Sequence, residues 1–315
     1  MRPARAALTI LAIFVALLST GIARAVTVGF AQVGSESDWR TAFSTDMKAE
    51  AARRGVTLLF ADADNDAPRQ RAQVLGFVAA HVDAIVIAPV VVSGWTDTLQ
   101  KVRDAGIPVF LADRAVDADP SLYVARIAAD FNLEGRLAGA WLAQTTLGTC
   151  GILELQGSAG SEPAIQRHKG FLAIISQFPN MRILHSAGGD FTSDGGRQAM
   201  DGFIHGAGGL KDVCAVWSHN DNMLLGAIAA MHAAGLHPGR DQLMVSVDGV
   251  PGIFRAMLAG DSNMSVELKS DIGKNIFDVV QGYLGGRRDY PKWVLIPSAL
   301  HTPADAAAML AKHGF

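Results

Sequence analysis

The sequence predicts an α/β protein built as two doubly wound parallel-sheet lobes. Three observations carry that reading. Short apolar runs alternate with longer stretches of helical spacing, and the alternation restarts near Asp130 as a second unit of similar size. The apolar runs are rich in Val, Ile and Leu without alternating polarity, as expected of strands covered by helices on both faces. The 315-residue chain, 50% hydrophobic and 18% charged, has the length of two domains and is too apolar to be disordered. Two cysteines exclude a disulfide scaffold and a thiolate-built zinc site. A formal charge of −3 argues against a nucleic-acid partner.

The first element is an address. Arg2 and Arg5 precede an apolar run over residues 6–18, and Ala23-Arg24-Ala25 stands just before Val26. These are the charged region, apolar core and A-x-A site of a secretory signal, cleaved after Ala25. The run is short of the roughly 20 residues a membrane span needs. Without Arg2, Arg5 and Arg24 the mature chain has 24 basic against 30 acidic residues, and is expected to be soluble in the oxidising periplasm.

In the first unit, strands are expected at residues 27–33, 57–62, 83–88 and 108–113, and helices at 39–54, 68–80 and 96–105, stopping near Gly55, His81 and Gly106. The second unit opens with a helix at 132–146. Strands follow at 151–156, 182–185, 215–218 and 243–247, with helices at 165–177, 195–204, 222–234 and 251–259. Extended stretches at 124–128 and 264–268 read as crossings between the units. A helix at 272–282, a strand at 293–295 and a small helix at 303–312 finish the chain. The expected division is a first lobe of residues 26–129 plus 268–288, a second of 130–267 plus 289–315, and a three-segment hinge. Cys150 and Cys214 each lie six residues before the end of a strand-like run. In neighbouring parallel strands the two thiols would be level and near bonding distance. An oxidising compartment favours the disulfide; the alternative is a pair of buried reduced thiols.

Ligands of open α/β sheets lie beyond the carboxyl ends of strands. There the sequence places Glu36, Trp39 and Arg40, then Asp113-Arg114, then Arg167, Phe191, Asn220 and Asp248, with Glu267 closing the late extended stretch. Carboxylates, arginines, an amide and aromatics side by side suit a sugar. Each hydroxyl both donates and accepts, and a ring face covers the C–H surface. The carboxylates outnumber the arginines, which favours a neutral ligand. Other chemistry finds no support. There is no phosphate-binding loop and no dinucleotide fingerprint, and Gln156-Gly157-Ser158-Ala159-Gly160 lacks the first glycine of a nucleophile elbow. Asp62-Ala63-Asp64-Asn65-Asp66 opens like a calcium loop, but Ala67 and Gln73 stand where glycine and glutamate are needed. No histidine spacing suggests a metal, and no cofactor is expected.

Several stretches carry a family resemblance: VGFAQVGSESDWR at 28–40, VDAIVIAPVV at 82–91, PVFLADR at 108–114, LELQG at 153–157, GDFT at 189–192, HND at 219–221, VDGVP at 247–251 and SVEL at 265–268. In these the chain resembles the periplasmic sugar-binding proteins of ABC importers, of the ribose-binding type. SESDWR and VDGVP look most like its galactofuranose branch. The resemblance implies the type I periplasmic binding protein fold and ligand contacts from Glu36, Trp39, Arg40, Asp113, Arg114, Arg167, Asn220 and Asp248, with Phe191 and Glu267 as further candidates. It also implies lobes that close over a monosaccharide, and a monomer that docks on an inner-membrane ABC permease. Residues 158–163 depart from the galactofuranose pattern. The alternative within the same fold is a sugar or autoinducer receptor feeding a chemoreceptor or sensor kinase. An enzyme is disfavoured, because the Arg and Asn donors beside each carboxylate keep it ionised. A DNA-binding regulator is disfavoured because a signal peptide occupies the place of its helix pair.

Overall fold

Strands form where apolar runs offer both faces for burial, and polar residues at their ends cap the helices that follow. The computed structural model describes residues 25–206 and 209–312, so the expected signal segment lies outside the described residues. The first unit runs β1 (Thr27–Gln32), α1 (Asp38–Arg53), β2 (Thr57–Asp62), α2 (Ala67–Ala79), β3 (Ala84–Ile87), α3 (Thr96–Asp104), β4 (Val109–Ala112) and β5 (Ala125–Ala128). The second runs α4 (Phe131–Thr145), β6 (Thr149–Gln156), α5 (Glu162–Ile175), β7 (Asn180–Gly188), α6 (Ser193–His205), β8 (Ala215–Ser218), α7 (Asp221–Ala233), β9 (Leu243–Asp248), α8 (Pro251–Ala259) and β10 (Met264–Glu267). The chain ends with α9 (Gly273–Leu284), β11 (Trp293–Leu295), β12 (Ala299–His301) and α10 (Ala306–Lys312). Ser37, Asp66, Asp130, Thr192 and Asn220 each cap a helix by accepting a backbone N–H with the side chain.

Two six-stranded sheets result. The first has the order β11-β5-β4-β3-β1-β2 with every pair parallel. The second has the order β12-β10-β9-β8-β6-β7, parallel except where β12 runs against β10. The five strands of each unit thus share one doubly wound order, whose switch point falls between β1 and β3 in the first lobe and between β6 and β8 in the second. The central strands β3, β4 and β8 are buried at every residue, which is why they read as unbroken apolar runs.

The structure corrects three expectations. Residues 124–128 and 264–268 are not bare crossings: β5 and β10 are strands, and the chain crosses just after them. Residues 293–295 were expected in the second lobe, yet β11 pairs with β5 in the first sheet, so the third crossing comes after Leu295. The indole N–H of Trp293 donates to the Ala128 carbonyl at 2.9 Å, and the Arg126 guanidinium lies 4.3 Å from the Trp293 ring, which fixes β11 there. Finally, Cys150 and Cys214 do form a disulfide, with Cα atoms 5.4 Å apart, but one residue out of level. Cys214 donates its N–H to the Gly151 carbonyl. After the second crossing, α9 returns to the first lobe. Gly273 donates to Asp46 at 2.6 Å, and Arg54 bonds Gln281 and Asp278. Among the described residues no helix is long and apolar enough to cross a membrane.

Candidate functional site

The carboxyl edges of the two sheets face each other, and the residues that follow the strands meet there in a small closed cavity. Its free volume is only about 20 Å³, close to the room one water needs, so the lining side chains stand nearly in contact. From the first lobe Glu36, Trp39 and Arg40 reach it from the start of α1, and Asp113 and Arg114 from the end of β4. From the second lobe Arg167 reaches it from α5, Phe191 from the loop after β7, Asn220 from the end of β8 and Asp248 from the end of β9. Nine of the ten expected site residues therefore line one space.

The tenth does not. Glu267 points away, its carboxylate 3.3 Å from both His301 Nε2 and Lys312 Nζ, and it lines a separate groove with Asp38 and Arg255. Adjacent residues of an extended chain point to opposite sides, so Leu268 takes the cavity position and Glu267 faces α10.

The polar groups form two ion-pair networks, one on each lobe. On the first, Arg40 Nη2 donates to Asp113 Oδ2 at 3.0 Å and Arg40 Nε lies 3.5 Å from Glu36. Arg114 stands 3.8 Å from Glu36 and 3.7 Å from Asp113. On the second, Arg167 Nε donates to Glu134 at 2.9 Å, its Nη1 to the His219 carbonyl at 2.5 Å, and its Nη2 lies 3.5 Å from Asp248. Burial lowers Arg114 to about 10, with Arg40 adding to the effect. Burial alone would lower Arg167 as well, but Glu134 and Asp248 outweigh it and hold the guanidinium charged. Burial raises Glu134 to about 7 and raises Asp248 well above the usual carboxylate range, in spite of Arg167.

Aromatic faces complete the walls. Arg40 lies 4.8 Å from the Trp39 ring, Arg114 5.5 Å from Phe191 and Arg167 5.2 Å from Phe131. The Trp39 indole N–H donates at 2.6 Å to the carbonyl of Leu268, on the second crossing. Asp113, Phe191 and Asp248 all hold positive φ, at 64°, 63° and 125°, and such strain concentrates at ligand clamps. Gly157 is required beside them, because a Cβ there would lie 1.9 Å from the Phe191 ring. Asn220 spends its carbonyl oxygen capping α7 and one amide hydrogen on the Phe191 carbonyl at 3.0 Å, leaving one donor.

Five buried polar atoms in this cavity have no hydrogen-bond partner within the protein: Glu36 Oε2, Arg40 Nε, Asp113 Oδ1, Arg114 Nε and Arg167 Nη2. Buried polar atoms are seldom left so, since each carries an uncompensated desolvation cost. Donors and acceptors both occur in the set. Three arginines and three carboxylates line the cavity, so its formal charge is balanced. Such a site is complementary to a small, neutral, hydroxyl-rich molecule gripped by both lobes.

Residues 28–288 match the periplasmic binding protein domain family. The chain belongs to this family. It is 44% identical to the galactofuranose-binding protein YtfQ of Escherichia coli K12, over 97% of this chain and 96% of that protein. A solved galactofuranose binding protein superposes with a TM-score of 0.89 at 45% identity, covering 91% of this chain and 98% of that one. The periplasmic binding protein component of the arabinose ABC transporter from Shewanella sp. ANA-3, bound to α- and β-L-arabinofuranose, gives a TM-score of 0.89 at 48% identity, with 91% and 95% covered. A periplasmic binding protein recognises and carries a solute without transforming it.

Sequence reasoning missed Ser37, Phe131, Pro163 and Leu268 in the lining, and Glu134 behind Arg167. Phe131 and Leu268 had a readable signal: each lies just past β5 or β10, the two strands taken for crossings. Glu134 had none, being one of many acidic helix residues.

Among the described residues one His and carboxylate group has metal-ligand spacing: Glu154, His168 and His219. Its hydrogen bonds account for it without an ion. The Gly157 N–H donates to His219 Nδ1 at 3.4 Å, so the ring proton sits on Nε2 and donates to Glu154 at 3.1 Å. A metal on Nε2 would leave an Nδ1–H facing that amide. Burial would raise Glu154, but its bonds to His219 and His168 outweigh this and pull it to about 2. The group fixes His219, whose carbonyl holds Arg167.

Proposed function

We propose that this chain captures a neutral monosaccharide in its furanose form, galactofuranose or a pentofuranose such as arabinofuranose, and delivers it to an ABC permease. The observation that carries the reading is the cavity itself: set between the lobes, balanced in formal charge, and lined by five buried polar atoms that lack hydrogen-bond partners within the protein. Relatives at 44–48% identity that are described as binding galactofuranose or arabinofuranose support the sugar class. A ligand that touches Asp113 on one lobe and Arg167 on the other favours the closed state by its differential affinity, and the closed shape is what a membrane partner recognises. In this reading the mature protein begins at Val26 after cleavage, works in the periplasm and acts as a monomer.

Calorimetric titration of residues 26–315 tests it, with galactose, arabinose, ribose, glucose, a galactofuranoside and a uronic acid. The expected result is binding of galactofuranoside, galactose or arabinose and none of the uronic acid, whose charge the balanced cavity cannot match. Silence toward every neutral sugar, or preference for the uronic acid, overturns it.

A further inference from the structure

We propose that Glu162, with the neighbouring Gly160 carbonyl, is a latch that sets the stability of the closed state for every ligand alike. The inference rests on the closure reading above. Glu162 opens α5 on the second lobe, five residues before Arg167. Its carboxylate is buried, and both oxygens are taken by the first lobe. One accepts from the backbone amide of Ala115, the residue after Arg114, and the other from Arg126 Nη1 at 2.5 Å. Arg126 in turn lies against Trp293 and donates to the Ala129 carbonyl at the first crossing. Two residues earlier the Gly160 carbonyl accepts from Val92 of the first lobe at 3.1 Å. None of Gly160, Glu162, Val92, Ala115 and Arg126 lines the sugar cavity.

These contacts join the lobes without touching a ligand. Interactions made only in the closed state raise affinity through the closed population, and they do so by one factor for all ligands. Burial pushes the Glu162 carboxyl above its ordinary range in spite of Arg126, so attraction is largely offset by desolvation and the seam can still open. Deleting the carboxylate acts differently. It leaves the Ala115 N–H and the Arg126 guanidinium in a closed seam with no acceptor.

Single-molecule energy transfer between dyes on exposed positions, one on each lobe, reads the closed fraction directly. The series comprises wild type, E162A, R126A and the double variant, each titrated with galactose, arabinose and a galactofuranoside and also followed without sugar. E162A is expected to lower the closed fraction without sugar and to raise the half-closure concentration of every sugar by a common factor, about tenfold. Ranking among sugars stays fixed, and the double variant loses less than the product of the single losses. Equal closed fractions in wild type and E162A at every sugar concentration overturn the latch, as does a shift confined to one sugar. If no sugar closes the wild type, the sugar reading fails, while the sugar-free closed fractions still decide the latch.

Discussion

Asp113→Asn is the most economical probe of the cavity. The side chain keeps its shape, and asparagine tolerates the left-handed φ of 64° at this position nearly as well as aspartate, so the backbone is not stressed. What changes is chemistry. Asp113 Oδ2 accepts from Arg40 at 3.0 Å, and Oδ1 is buried in the cavity with no protein partner. The amide has one acceptor where the carboxylate has two, and the lining shifts from balanced to net positive. A hydrogen bond to a charged group contributes about 1.5–3 kcal/mol, so losing the one Oδ1 makes to a sugar hydroxyl weakens binding roughly tenfold to a hundredfold. Calorimetry of wild type and D113N with the same sugar measures this, with thermal unfolding of the sugar-free proteins as control. Unchanged affinity at an unchanged Tm would refute the placement of the ligand against Asp113.

Three further predictions follow from other parts of the molecule. Trp39→Ala removes a buried ring face and the indole bond to Leu268, and is expected to weaken every sugar by about 1–3 kcal/mol; intact affinity would show that the ring is not a wall of the site. Glu134 titrates near 7 instead of its ordinary 4.5 because it is buried, so its ionisation destabilises the folded protein by an amount that grows between those two values and is complete above 7. E134Q does not titrate, so its Tm should gain on wild type as pH rises from 5 to 8, and parallel pH profiles would contradict the shift. Cys150→Ser with Cys214→Ser opens a link spanning 64 residues and is expected to lower stability by about 2–5 kcal/mol while leaving sugar affinity alone, since the pair lies at the strand ends remote from the cavity.

Much of this architecture is written in local pattern. Strands such as Val109–Ala112 are apolar at every position because helices cover both faces, and that pattern survives in a single sequence. The site follows from the same logic: once the strands are placed, Glu36, Asp113, Asn220 and Asp248 fall at their ends. What stays hidden is set by long-range pairing. Three residues, Trp293–Leu295, hold too little pattern to say which sheet they join, and the indole bond to Ala128 that decides it spans 165 positions. Glu267 ends its strand as an apparent ligand residue, yet the direction it faces depends on registering β10 against β9 and β12, which spacing alone does not give. In the sequence Glu162 falls before the helix expected at 165–177 and reads as an ordinary loop acid. Only the meeting of the lobes brings it onto Ala115 and Arg126.

The account's central claim is that a closed cavity of balanced charge selects one ring form of a neutral sugar. Carbon-13 NMR of uniformly labelled galactose and arabinose, each mixed with one equivalent of protein, observes that choice directly, because furanose and pyranose anomeric carbons resonate apart. The account predicts bound-state signals from furanose rings alone. Bound pyranose signals would contradict it.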